Sequence, residues 1–143
     1  IITGASSGIG SGVARELHRR GWAVGLIARR KDKLDALATE LGDRVAVATA
    51  DVGIEEQVNT AVAALESQLG PCDLMLANAG IGDARSSRRF SAAATKKVLN
   101  VNVEGVIHAL AAVIPGMVER GHGTVAATSS VAGYRAMPNF GPI

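Results

Sequence analysis

Cysteine, aromatic residues, long apolar runs and long basic runs are all scarce here. One cysteine, one tryptophan, one tyrosine and two phenylalanines occur among 143 residues. Cys72 has no partner for an internal disulfide, so packing alone must hold the fold, and the expected setting is a reducing cytoplasm. No apolar run approaches the length of a membrane span or secretory leader, which argues against a membrane partner. The basic residues Arg19, Arg20, Arg29, Arg30, Lys31 and Lys33 are interleaved with apolar and acidic ones, and the formal net charge is only +2. Nucleic acid is therefore not an expected partner. His18 and His122 are expected to be exposed, His108 has no partner at metal or triad spacing, and Cys72 has no identifiable base; none is assigned a role, and no metal is expected.

What is present is material for a packed α/β domain. Hydrophobic residues make up 48%, charged residues 20%, and there are 17 glycines. A chain of this size is one domain, able to bury about two thirds of the surface its unfolded form exposes. Apolar runs alternate with helical periods throughout. After "II" and a glycine-rich turn, Ile9, Val13 and Leu17 are spaced for one face of a helix from about 9 to 20. "WAVGLIA" (22–28) predicts a strand, and "KDKLDALATEL" a helix with Leu34, Leu37 and Leu41 inward, ended by Gly42. A strand over 44–50 and a helix over 54–69 follow, the latter with Val58, Val62, Leu65 and Leu69 inward and Gly70-Pro71 closing it. "CDLMLANAG" predicts a fourth strand, 91–118 a long helix interrupted at Pro115, and "GTVAATSS" (123–130) a fifth strand.

Strands that alternate with helices of ten or more residues pair in parallel through right-handed crossovers, with helices on both faces. The expected architecture is a Rossmann-type, doubly wound parallel sheet of at least five strands, whose ligand sits beyond the strands' carboxyl ends. Two turns there carry chemistry. "TGASSGIG" places Gly4, Gly8 and Gly10 between a strand and a helix, where a tight backbone, free N–H groups and the positive helix end attract a pyrophosphate. It has neither the G-x-G-x-x-G spacing nor the lysine of a P-loop. After the second strand, Ala28 stands where an acid would bind both ribose hydroxyls of NAD. Arg29 and Arg30 follow it; the planar fork of arginine clamps a 2′-phosphate, which favours NADP, with Arg29 the principal candidate.

Together with "DV" (Asp51, Val52), "NAG" (Asn78, Ala79, Gly80), the asparagine of "NVNVEG" and "SSVAG" (129–133), these motifs occur in an order and spacing that resemble a classical short-chain dehydrogenase/reductase, over essentially the whole chain. The resemblance implies cofactor contacts from Gly4, Ser6, Ser7, Gly8, Ile9, Gly10, Arg29, Arg30, Asp51, Val52, Asn78, Ala79 and Gly80, with Asp51 accepting from the adenine amino group. An Asp there also suits a helix cap. Ala77 departs from the fuller "NNAG" pattern. Asn102 matches the asparagine that holds a proton-relay water, with Asn100 pointing elsewhere, and Ser130 the serine that binds the substrate carbonyl.

The implied activity is hydride transfer between NADP(H), or less favourably NAD(H), and a small carbonyl or alcohol substrate, in a homodimer or homotetramer. The family's acid/base is a tyrosine whose pKa is lowered by a lysine four residues later. Tyr134 does not match: Pro138 stands four residues on, and Tyr134 follows Ser130 too closely. The resemblance puts Tyr-x-x-x-Lys and the substrate-covering elements after Ile143, and "IITGASSGIG" opens without methionine inside an apolar run, so the expected protein is longer at both ends. The alternatives are a nucleotide-binding or interaction protein on the same fold without that pair, and an NAD-dependent enzyme in which Arg29 is a surface residue.

Overall fold

The computed structural model describes residues 1–82 and 91–134. In chain order the elements are β1 (Ile2–Thr3), α1 (Gly8–Arg19), β2 (Val24–Ala28), α2 (Lys31–Leu41), β3 (Val45–Thr49), α3 (Glu55–Leu69), β4 (Leu74–Ala77), α4 (Ala92–Leu99), a π-helical turn (Asn100–Glu104), α5 (Gly105–Arg120) and β5 (Thr124–Ala127). The strands form one sheet in the order β3-β2-β1-β4-β5, every pair parallel. This is the doubly wound arrangement expected from the alternation of elements.

Because successive strand residues point to opposite faces, the sheet feeds two cores. Val24 and Leu26 of β2 join Leu34, Leu37 and Ala14 under α1 and α2. Ile27, with Met75 and Ala77 of β4, joins Val58, Val62 and Leu65 of α3 and Ala109, Val113 and Met117 of α5. All five residues of β2 are buried, as befits a strand with helices on both faces. Leu34, Val58 and Leu65 are fully buried, and each such side chain contributes about 1.5–3 kcal/mol.

Three expectations are corrected. Ile9 is not on the inner stripe of α1: it is 64% exposed, and Gly10 and Ala14 are the buried residues. The backbone of β1 and its turn approaches α1 so closely that only a glycine fits at position 10, which rotates Ile9 outward. Pro115 does not interrupt α5, which runs unbroken from Gly105 to Arg120; the irregular turn lies earlier, at Asn100–Glu104. Finally, Ala92–Arg120 forms 29 residues of continuous helix that, by length and composition, are enough to cross a membrane. Read as a string, its apolar run is broken by Asn100, Asn102, Glu104 and His108, which hid that length. Here Ala109, Val113 and Met117 of this helix are buried in the core.

Candidate functional site

The carboxyl ends of β1 and β4 meet where the strand order reverses, and one buried threonine ties them together. Thr3 is 1% exposed. Its Oγ1 accepts from the backbone N–H of Asn78 at 3.0 Å and of Ala79 at 3.1 Å. Asn78 in turn donates Nδ2 to the Thr3 carbonyl at 3.1 Å and accepts at Oδ1 from Thr128 Oγ1 at 3.0 Å. Asn78 thus links the ends of β1, β4 and β5. The glycines serve this close approach. A Cβ on Gly4 would lie 2.7 Å from Ala79 Cα, and one on Gly10 would lie 2.5 Å from the Gly4 carbonyl oxygen. Gly8 faces open space, and its φ of 58° is what favours glycine there.

At the start of α1, Ser7 is the N-cap residue but its side chain caps nothing, and the first turn holds no acid. Instead Arg30 donates through Nη2 to Ser7 Oγ at 2.7 Å and to Ser6 Oγ at 2.9 Å. The first four N–H groups of a helix lack intrahelical partners, so a guanidinium, two hydroxyls and a positive helix end gather at one point. That set of donors suits a phosphate. Arg29, the principal phosphate candidate from sequence, has its Nη1 3.7 Å from Asp51 Oδ2. Both partners are substantially exposed, and such a pair contributes about 0–1 kcal/mol, so it is readily exchanged for an anionic ligand.

Asp51 also closes the turn before α3: its Oδ1 accepts from Gly53 N at 3.0 Å, and its own N–H donates to Gln57 Oε1 at 2.8 Å. It organises the turn without being the cap residue, which is Ile54. Asn102, in the π-turn, accepts from Ile81 N and donates to Ile81 O, both at 2.9 Å. Asn100 points away from it, donating to Gly53 O at 3.1 Å.

These loops enclose a cleft of about 380 Å³. Gly4, Ser6, Ser7, Ile9, Arg29, Arg30, Asp51, Val52, Asn78, Ala79 and Gly80 all line it. Of the residues assigned from sequence, Gly8, Gly10, Asn102 and Ser130 are not in its wall. Ala28, known from sequence only as standing in place of an acid, is in the wall, and so are Ala50, Ile81, Val101 and Thr128, to which the sequence assigns no role. Four of these five occupy or follow strand ends, the place where ligands bind in open α/β sheets. Ser130 lies past β5, where its Oγ accepts from Ala132 N at 3.1 Å; Tyr134 is 93% exposed.

The histidines are more engaged than expected. His18 is not explained by exposure: its side chain is 14% exposed and Nε2 lies 2.8 Å from the Asp43 carbonyl oxygen. His108 Nδ1 lies 2.8 Å from the Val52 carbonyl oxygen. Burial raises the Cys72 thiol pKa above its ordinary value, which keeps it protonated and unreactive. Among the described residues, no three His, Cys, Asp or Glu side chains gather as a metal site would require.

The model of the short chain dehydrogenase family matches residues 1–142. This chain belongs to that family. It is 39% identical over 144 residues to the glycine betaine reductase ATRR of Emericella nidulans, covering 99% of this chain and 11% of that protein. Among solved structures, it is similar to a 3-ketoacyl-(acyl-carrier-protein) reductase from Brucella melitensis complexed with NADH, with a TM-score of 0.91 and 30% identity over 97% of this chain and 60% of that one. It is also similar to an alcohol dehydrogenase from the archaeon Thermococcus sibiricus complexed with 5-hydroxy-NADP, with a TM-score of 0.89 and 32% identity over 97% of this chain and 61% of that one. The chain spans little more than half the length of other curated relatives that it matches.

Proposed function

We propose that the cleft binds NADP(H) and that the whole protein is an oxidoreductase acting on a carbonyl or alcohol substrate. The observation that carries this is the pair of guanidiniums after β2. Arg30 is bonded to Ser6 and Ser7 at the start of α1, and Arg29 is paired only loosely with the Asp51 carboxylate, at 3.7 Å. With Ala28 where an acid would bind two ribose hydroxyls, the charge at this end of the cleft favours a 2′-phosphate. Bound there, the cofactor supplies a hydride donor or acceptor. The protein's own part is orientation: Ser6, Ser7 and the amides of α1 hold phosphate, Asp51 and Val52 meet the adenine, and Asn78, Ala79 and Gly80 form the wall beneath.

Asn102 and Ser130 are the residues proposed for the reacting end. The Ser130 oxygen accepts from Ala132 N, which leaves its O–H free to donate to a substrate carbonyl oxygen. Asn102 keeps one amide hydrogen and one lone pair for a water. The proton donor is proposed to be a Tyr-x-x-x-Lys pair, which residues 1–143 do not contain. Leu99, Val103, Ile107, Ile114 and Val118 are exposed and follow a helical stripe, which supports pairing with a second copy as a homodimer or homotetramer. The buried lone thiol suits a cytoplasmic location.

The test is the ratio of dissociation constants for NADP+ and NAD+ in the full protein. Wild type is expected to prefer NADP+, and Arg30→Ala to lose about tenfold or more of that preference, since hydrogen bonds to charged groups contribute about 1.5–3 kcal/mol. NADP-dependent and NAD-dependent readings part at Arg29→Asp: an unchanged preference would support the second. Among similar solved structures, the archaeal protein is complexed with 5-hydroxy-NADP and the Brucella protein with NADH, so this measurement decides between the two cofactors. Binding without turnover in a protein lacking Tyr-x-x-x-Lys would support a non-catalytic nucleotide-binding or interaction protein instead.

A further inference from the structure

The loop after β3 is held from one side by a single helical face. Asn100 Nδ2 donates to the Gly53 carbonyl at 3.1 Å and to Glu104 Oε2 at 2.7 Å. Two turns further on, His108 Nδ1 meets the Val52 carbonyl oxygen at 2.8 Å; because that partner only accepts, Nδ1 carries the hydrogen. Between them Gly105 lies so close that a Cβ would stand 2.7 Å from Val52 Cγ2. A Cβ on Gly53 would in turn collide with the Asn100 amide oxygen. Two residues past Asn100, Asn102 exchanges two hydrogen bonds with the Ile81 backbone. Residues two apart point to roughly opposite sides of a helix, so one irregular turn grips two of the loops that wall the cleft, one through each asparagine. Single π-turns of this kind recur at functional sites.

We infer that Asn100 is a positioning residue for the adenine end of the cleft: it fixes the Asp51–Gly53 loop, and through Asn102 on the same turn it sets that loop's separation from the Asn78–Ile81 loop. His108 supports the same loop from the next turns. This rests on the proposal above that Asp51 and Val52 meet the adenine. Neither Asn100 nor His108 lines the cleft, so each acts only through the backbone it holds.

The probe is 5′-AMP, which carries the adenine but neither the nicotinamide nor the 2′-phosphate, titrated into the full protein. Asn100→Ala is expected to weaken 5′-AMP binding about three- to tenfold, the range set by one neutral hydrogen bond. The loss should shrink to near nothing in an Asp51→Ala background, because the two act through one loop. Gly53→Ala is expected to weaken binding at least as much, and Gly53→Ala with Asn100→Ala to recover part of it, since the second change vacates the space the first invades. His108→Ala, which leaves the π-turn intact, should show the same pattern more weakly and serves if Asn100→Ala does not fold. Wild-type affinity in Asn100→Ala and His108→Ala, with Asp51→Ala weakened, would overturn the positioning role and leave the adenine assignment standing. Wild-type affinity in Asp51→Ala would overturn both.

Discussion

Replacing Thr3 by valine tests whether one hydroxyl holds the two central loops together. Valine has the same shape and suits a strand, so packing and backbone propensity are nearly unchanged. What disappears is Oγ1, the acceptor for the N–H groups of Asn78 and Ala79. Thr3 is 1% exposed, so water does not replace it. Each N–H left without an acceptor costs about 1–3 kcal/mol, giving about 2–6 kcal/mol for the two. Against a total stability of about 5–15 kcal/mol, that is a large share. Thr3→Ser keeps the oxygen and loses only a methyl group, about 1 kcal/mol. Urea unfolding of the three proteins reads the difference, and amide hydrogen exchange at positions 78 and 79 localises it. A Thr3→Val protein as stable as Thr3→Ser, with both amides still protected, would refute the assignment.

Gly10→Ala places a Cβ 2.5 Å from the Gly4 carbonyl oxygen and 2.6 Å from Asn78 Nδ2; overpacking of this kind costs about 1–3 kcal/mol, measurable by the same unfolding, whereas Gly12→Ala, which meets nothing within 4 Å, should cost nothing. On the surface of α1, hydrogen bonds from Arg19 and Arg20 lower the Glu16 pKa to about 2. A carboxylate lowered in the folded state adds stability above its unfolded pKa, near 4.3, and loses it as pH falls through about 2. Glu16→Gln should therefore flatten the dependence of melting temperature on pH across that window and leave its dependence above pH 6 unchanged.

The architecture was legible because periodicity and topology constrain each other. α2 begins and ends at the residues its leucine stripe and Gly42 predict, and strands that alternate with such helices have little choice but parallel pairing. The cleft was legible for the same reason: ten of the assigned residues come from strand-end loops and, with Ile9 at the start of α1, share one wall. What could not be read was direction of side chains within a turn. Arg29 and Arg30 are equivalent in composition, yet the extended backbone at Arg30 sends its guanidinium to Ser6 and Ser7 and leaves its neighbour facing Asp51. Ile9 fits a helical stripe by spacing, but the stripe is set by Gly10, whose role is visible only once β1 and β4 are adjacent. Asn100 and His108 receive no role from the sequence because their partners, Gly53 and Val52, are about fifty residues earlier in the chain.

The most direct test of the nucleotide site is amide hydrogen exchange across the full protein, with and without saturating NADP+. The prediction is slowed exchange in three separate stretches: Ser7–Gly10 at the start of α1, Asp51–Gly53 after β3, and Asn78–Ile81 after β4. Saturable binding with none of these stretches slowed would contradict the account, because the phosphate-attracting helix end and the two loops would then not be where the cofactor sits.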